Sequence, residues 1–342
     1  MRANILFVGG SLNQTTMMHQ IASQLEEFNC YFTPFYADGL LGWLSKLGLL
    51  DFSILGGRHK RSTLTYLKRQ GLPVDFGGRS RAYDLVVTGT DLIVQRNLRG
   101  RRVVLVQEGM IAPEGVGFTL TRYLKFPRFV ADTAATGLSD LYEVFCVASP
   151  GFRDLFIHKG VKPEKIAVTG IPNFDHVDAF RDNDFPHRHY VLATTSSLRE
   201  TFKWDDRLGF IEKARRIADG RRLIFKLHPN EDTRRARREI ESRAPGALIY
   251  EDGNVNHMIA NCDVLVSQFS SVILIGLALG KEVHAEGGLE TFRHLTPLQN
   301  GGISARRIAE ICRQLLEAPQ PVRKPETGVI RSRLGRQVQD VA

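Results

Sequence analysis

Short, continuously apolar runs separated by longer segments of helical period constrain this chain more than any other feature. ANILFVGG, YDLVVTG, RRVVLVQEG, YEVFCVAS, KIAVTGI, HYVLATTS, RLIFKLHP and DVLVSQFS are rich in β-branched and aromatic residues and show no in/out alternation. A strand that is apolar at every position has no face to give to water, so it belongs in a parallel sheet covered on both sides. The expected fold class is α/β, doubly wound. The stretch 171–189, IPNFDHVDAFRDNDFPHRH, is rich in Asp, Asn and Pro and interrupts the series before a fresh strand begins. The 342 residues thus divide into an expected first domain over 1–172, a second over 173–320, and a terminal helix or tail over 321–342. That length suits two cores of ordinary size. Two such sheets with their carboxyl ends facing each other enclose a cleft, and ligands of open α/β sheets bind at those ends.

Composition narrows the function classes. Hydrophobic residues make up 43% of the chain, enough for a sizeable core. Cys30, Cys146, Cys262 and Cys312 are isolated in apolar surroundings, without the spacing of a zinc site or a disulfide framework. A reducing compartment is the expectation. No apolar run reaches the roughly 18 residues of a membrane span, and the apolar part of MRANILFVGGS is too short for a secretory leader. The expected location is cytoplasmic. The formal net charge is +9, with basic residues concentrated at 213–243 and in PVRKPETGVIRSRLGRQ. These clusters are either solvated helix faces or surfaces attracted to anionic lipid or an acidic substrate. Nucleic acid is not the expected partner, because RRARREIESR carries acids within it and no interleaved aromatic rings for stacking.

The polar motifs fall just after expected strands. After the first strand comes GGSLNQTTMMHQIASQL, in which Gly9 and Gly10 permit a tight turn and Ser11, Asn13, Thr15 or Thr16 can cap a helix. This is not the GxGxxG dinucleotide fingerprint. If the loop binds a ligand, Gly10, Ser11 and Asn13 suit a sugar or an acceptor hydroxyl. RRVVLVQEGM puts Gln107 and Glu108 beyond a fully apolar strand, where Glu108 is either a general base or a solvated, capping acid; Glu114 in APEGVG is the fallback base. RLIFKLHPNED places Lys226 and His228 on one face at a strand end, because side chains alternate with period two, and Pro229 stops the sheet. A cation and a hydrogen-bond donor held there suit a phosphate oxygen.

SQFSSVILIGLALGKEV reads as a strand end, two adjacent hydroxyls, an apolar helix, a left-handed stop at Gly280 and another strand. Asn256 is the expected cap of the short helix before it. Ser270 and Ser271 are either N-caps or part of a phosphate cradle at a helix mouth. With His228 at the end of a neighbouring strand, the phosphate role takes precedence. The segment 39–61, GLLGWLSKLGLLDFSILGGRHKR, is apolar around Trp43 with a basic end. It is core, a helical hairpin over an acceptor cleft, or a membrane-surface contact.

KLHP (226–229) followed by CDVLVSQFSSVILIGLALGKEV (262–283) resembles the C-terminal half of GT-B glycosyltransferases, particularly bacterial capsule and surface-polysaccharide enzymes and the related CDP-glycerol glycerophosphotransferases. GIPNFD (170–175) is similar to the hinge link of these folds and of the UDP-sugar 2-epimerases. The resemblance is firm over residues 165–290 and topological before that. It implies two Rossmann-like domains facing a cleft. It also implies a nucleotide-sugar donor on the second domain, with His228 on a donor phosphate and Ser270 and Ser271 on the diphosphate, and an acceptor on the first domain, where a carboxylate takes the proton of its hydroxyl. Such enzymes transfer a sugar to a polysaccharide or lipid-linked glycan, in general without metal or cofactor. Glu282 stands where the family has proline, and Gln268 and Phe269 where it often has Asp and Tyr. Glycerophosphate transfer, 2-epimerisation of a UDP-sugar, and a catalytically inactive glycan-binding or scaffold protein of the same fold are the alternatives.

Overall fold

A computed structural model describes residues 2–319 apart from 51, 52, 112, 113, 125, 202, 203, 269 and 287. The expected tail over 321–342 and Phe269 lie outside the described residues. The chain builds two parallel sheets. The first contains β1 (Asn4–Gly9), β2 (Asn29–Pro34), β3 (Leu85–Thr88), β4 (Arg102–Val106), β5 (Val144–Val147) and β6 (Ile166–Val168), in the order β2-β1-β3-β4-β5-β6. The second contains β7 (Val191–Thr194), β8 (Leu223–Lys226), β9 (Leu248–Tyr250), β10 (Val264–Ser267) and β11 (Glu282–Ala285), in the order β11-β10-β7-β8-β9. Each sheet winds outward from one strand and then back to its other side, so a switch point lies between β1 and β3 and another between β7 and β10.

The helices are α1 (Leu12–Ala22), α2 (Gly39–Lys46), α3 (Gly57–Arg69), α4 (Val116–Leu124), α5 (Pro150–Lys159), α6 (Arg207–Ala218), α7 (Thr233–Arg243), α8 (Val255–Asn261), α9 (Val272–Ala278), α10 (Leu289–Leu295) and α11 (Ser304–Glu317). Local chemistry sets their ends. Ser149 accepts from Phe152 N at the start of α5, Pro150 occupies the first turn, and Gly160 turns left-handed at its end. The cap of α8 is Asn254, whose side chain accepts from Asn256 N. The expectation of Asn256 is displaced by two residues, because the side chain that reaches back to the orphan N–H belongs to the residue before the helix.

The core follows from the apolar strands. Ile5, Leu6 and Phe7 of β1, Val104 and Leu105 of β4, and Phe145 and Cys146 of β5 are fully buried. Neighbours across 171–189 tie the two lobes together. Ser304 N donates to Asp175 Oδ2 at 2.7 Å, and Asn300 N and Gly301 N donate to Asp175 O. The last helix, which the sequence division places with the second domain, returns to the first lobe. Arg313 of α11 pairs with Glu27 at 2.6 Å, and Cys312 packs in the first lobe's core. Within the basic cluster 213–243, Arg237 pairs with Glu251, Arg243 with Glu212, and Arg235 with Glu200.

Candidate active site at the carboxyl rims

In parallel sheets all strands deliver their loops to the same edge, so the polar motifs gather at two rims. On the first, β1 ends in Gly9 and Gly10, and Ser11 caps α1 by accepting from Gln14 N at 3.1 Å. The same hydroxyl donates to Glu108 Oε1 at 2.7 Å, and Gln14 Nε2 donates to Glu108 Oε2 at 2.5 Å. An ionised carboxylate accepts at both oxygens with lone pairs to spare. Two donors therefore fix its plane and leave acceptor capacity free for a substrate hydroxyl. The neighbouring Gln107 points the other way, as period two requires. Its amide donates to Gly109 O at 2.8 Å and accepts from Ala148 N at 2.9 Å, which braces the turn that carries Glu108. Asn13 faces the link between the lobes: its carbonyl and its Oδ1 accept from Asn173 Nδ2 at 3.0 and 2.9 Å. Glu114 lies 3.9 Å from the buried Lys159 ammonium.

The second rim is denser. The backbone N–H of His228 donates to Thr195 Oγ1 at 3.0 Å and to Glu231 Oε2 at 3.3 Å. Asn230 N donates to His228 Nδ1 at 3.1 Å, so the neutral ring carries its proton on Nε2. Burial first, and the Lys226 and Arg207 cations next, hold the imidazole below its ordinary basicity, so it is neutral at pH 7 and its Nε2–H is a donor. Behind it lies a closed network. Arg207 binds Glu231 and Asp205, and its guanidinium also donates to Ser196 O at 2.7 Å. Gln268 donates to Asp205 Oδ1 at 2.8 Å and accepts from Ser196 Oγ at 2.9 Å across the switch point between β7 and β10. The side chains of Asp205 and Glu231 are wholly buried.

Lys226 does not reach the rim. It is 6% exposed, and its ammonium donates to Leu227 O and Glu251 O, both at 2.8 Å. Facing the same side as His228 along the strand did not make it a rim residue, because two carbonyls at the ends of β8 and β9 lie closer to its flexible stem. Ser270 and Ser271 are half-buried at the start of α9. Ser271 stands at the cap position with helical φ and ψ and makes no side-chain cap bond, and Ser270 Oγ accepts from Val272 N only at 3.5 Å. Capping therefore accounts for neither hydroxyl. Strand order places the serines and His228 on either side of β7, roughly 10 Å apart at strand level.

The rims approach each other at Gly109. A Cβ on Gly109 would lie 3.3 Å from the Phe174 ring and 3.9 Å from Ser271 Cβ. Glu108, one residue away, thus sits beside the place where the serine pair meets the first lobe. Sequence reasoning missed Asp205 and Arg207 in KWDDRLGF. Their partners, Glu231 and Ser196, are remote in the chain, and the only local signal was an Asp-Asp-Arg run before an amphipathic segment.

The sequence matches no family model and no curated protein. Solved structures do match. A putative UDP-N-acetylglucosamine 2-epimerase from Listeria monocytogenes superposes with a TM-score of 0.58 at 13% identity, over 94% of this chain and 99% of that one. The UDP-GlcNAc 2-epimerase from Neisseria meningitidis, bound to UDP-GlcNAc, gives 0.54 at 10% identity over 91% and 100%. The wall teichoic acid polymerase TagF, soaked with CDPG, gives 0.51 at 9% identity over 92% and 89%. Two parallel, doubly wound sheets meeting rim to rim, alike to these proteins over nearly the whole of each chain, give this chain the GT-B fold.

Proposed function

We propose that this protein is an enzyme that moves a sugar from a nucleotide-sugar to a hydroxyl of a polysaccharide or lipid-linked glycan. The observation that carries the proposal is the approach of the rims: a carboxylate oriented by Ser11 and Gln14 stands one residue from Gly109, where an added Cβ would lie 3.9 Å from Ser271 Cβ. In this reading Glu108 removes the proton of the acceptor hydroxyl as its oxygen attacks the anomeric carbon. The bond from that carbon to the donor phosphate breaks, and the nucleoside diphosphate leaves. His228 Nε2–H and the hydroxyls of Ser270 and Ser271 meet the charge that develops on the diphosphate. Gly10, Ser11 and Asn13 form the acceptor or sugar side, and Lys226 supports the β8 turn from behind. A positioned base of this kind contributes about 10²- to 10⁴-fold.

Likeness to 2-epimerases over 99% and 100% of their chains supports a second reading, epimerisation of a UDP-sugar on the same site. A donor screen by thermal shift comes first, because a ligand that binds only the folded chain raises its apparent stability. Incubation of each hit with candidate acceptors then separates the cases. Nucleoside diphosphate released in step with a glycosylated acceptor supports transfer. An isomerised sugar still on its nucleotide supports epimerisation, nucleoside monophosphate points to glycerophosphate transfer, and binding without turnover points to a scaffold. Loss of the donor's thermal shift in His228→Ala, with folding intact, is expected; an unchanged shift removes the phosphate role.

A further inference from the structure

We propose that the first lobe docks on an anionic lipid bilayer through α2, the turn after it and the basic face of α3. The described part of segment 39–61 carries α2 and the start of α3, and α2 buries none of its residues. Leu40, Trp43, Leu47 and Leu49 stand in water, with Trp43 57% exposed and Leu40 69%. The core-packing expectation for Trp43 therefore fails. A helix of this composition ordinarily hides its apolar stripe, and a contiguous exposed one marks a contact surface. Ser45 Oγ donates to Leu55 O at 2.7 Å and holds the helix in place, so it is a fixed projection.

The charge beside it selects the occupant. In α3, GRHKRSTLTYLKR, there is no acid, and Lys60, Arg61, Lys68 and Arg69 are exposed. None of them, nor Lys46 at the end of α2, has a carboxylate partner among the described residues. A second copy of the chain docked by two-fold symmetry on this face would set these cations against themselves. An anionic headgroup layer neutralises them while the acyl boundary takes Leu40 and Trp43, and an indole at a membrane interface is a favoured placement.

Eight residues of helix span about 12 Å against a hydrocarbon core of roughly 30 Å, so α2 lies on the bilayer and does not cross it. Tyr123 and Leu124 are also exposed, at the end of α4, and both α2 and α4 follow the carboxyl ends of strands in the same sheet. The contact also adjoins the proposed acceptor side. A Cβ on Gly10 would lie 3.3 Å from Ile54 Cδ1, in the turn between α2 and α3. A lipid-linked acceptor would then enter at the loop that holds Ser11 beside Glu108.

Flotation of the full chain with vesicles of phosphatidylcholine alone, and of phosphatidylcholine with phosphatidylglycerol, tests the proposal without reference to turnover. The chain is expected to float with the anionic vesicles and to be released by salt. Lys60→Glu with Arg61→Glu is expected to weaken binding on the order of twentyfold, at about fivefold for each basic residue lost near an anionic surface. Trp43→Ser with Leu47→Ser is expected to weaken it by at least a comparable factor, since binding scales with buried apolar area. Arg215→Glu with Arg216→Glu makes the same charge change on exposed positions of α6 and is expected to leave binding unchanged. Absence of flotation, equal loss in the α6 pair, or wild-type binding by the Trp43 and Leu47 variant would each overturn the assignment. So would a dimer in sedimentation velocity that the Trp43 and Leu47 substitutions dissolve. Donor thermal shifts in the same variants stay at the wild-type value, so failure of vesicle binding and failure of the transfer mechanism are separately visible.

Discussion

The two carboxyl rims share one topology and are furnished differently. The first offers Glu108, a carboxylate held by two neutral side chains, with small residues around it and a fringe of exposed apolar helix. The second is a closed polar lattice in which Arg207, Asp205, Glu231, Thr195, Ser196 and Gln268 satisfy one another beneath His228. Fixed dipoles and a fixed imidazole suit a ligand that is always the same, such as an activated diphosphate. A sparse rim with one oriented carboxylate suits ligands that differ in shape. The difference teaches that in this molecule rigidity has been concentrated on the second rim, and each prediction below tries to break that division.

The largest effect is expected at the sparse rim. Glu108→Gln keeps the shape and the two neighbours but removes the base, so turnover should fall about 10²- to 10⁴-fold while donor affinity stays near wild type. Steady-state kinetics with a fixed acceptor measure both. A loss under tenfold would reduce Glu108 to a capping acid and erase the contrast between the rims. At the dense rim the corresponding variant is Arg207→Met, which strands the buried carboxylates of Asp205 and Glu231. Removal of one partner from such a set costs about 3–5 kcal/mol, whereas the exposed Arg215→Met should stay within about 0.5 kcal/mol. Urea denaturation of the two variants compares them directly. Near-equal midpoints would mean that the lattice is not what holds the second rim.

His228 sharpens the comparison through pH. Its folded basicity is held below the ordinary value of 6.5, so below that pH the unfolded chain binds a proton that the folded chain resists. Stability from this group is complete above pH 6.5 and declines as pH falls. His228→Gln should flatten that decline; His19, whose basicity burial also lowers, still contributes to it, and the Glu231 carboxyl, which burial holds above its ordinary value, works in the opposite direction. Midpoints measured between pH 7 and pH 5 that keep the full wild-type slope in His228→Gln would detach the imidazole from the lattice.

Much of this was legible in the sequence, for a physical reason: continuous apolar runs are unmistakable where a strand is covered on both faces. The two strands that escaped, β2 and β9, lie at sheet edges, where NCYFTP ends in proline and LIY is three residues long and partly exposed. Glu108, His228 and the serine pair could be found because a strand end announces itself. The fates of Lys226 and Arg207 could not, since which carbonyl or carboxylate meets a cation depends on segments 25 and 24 residues away. The return of α11 to the first lobe was hidden for the same reason: its apolar face reads equally well against either sheet.

The smallest effect comes from the question of the two serines. Loss of a working N-cap hydroxyl costs typically ~1 kcal/mol. Ser11 is such a cap, with its hydroxyl on Gln14 N, while Ser271 occupies the cap position without making the bond. Ser271→Ala should therefore leave stability within about 0.5 kcal/mol of wild type, where Ser11→Ala loses roughly twice that or more. Donor binding should respond the other way round. A hydrogen bond to a charged phosphate is worth about 1.5–3 kcal/mol, so Ser271→Ala should weaken a nucleotide-sugar at least tenfold by titration calorimetry. Stability lost with affinity retained would make Ser271 a structural residue.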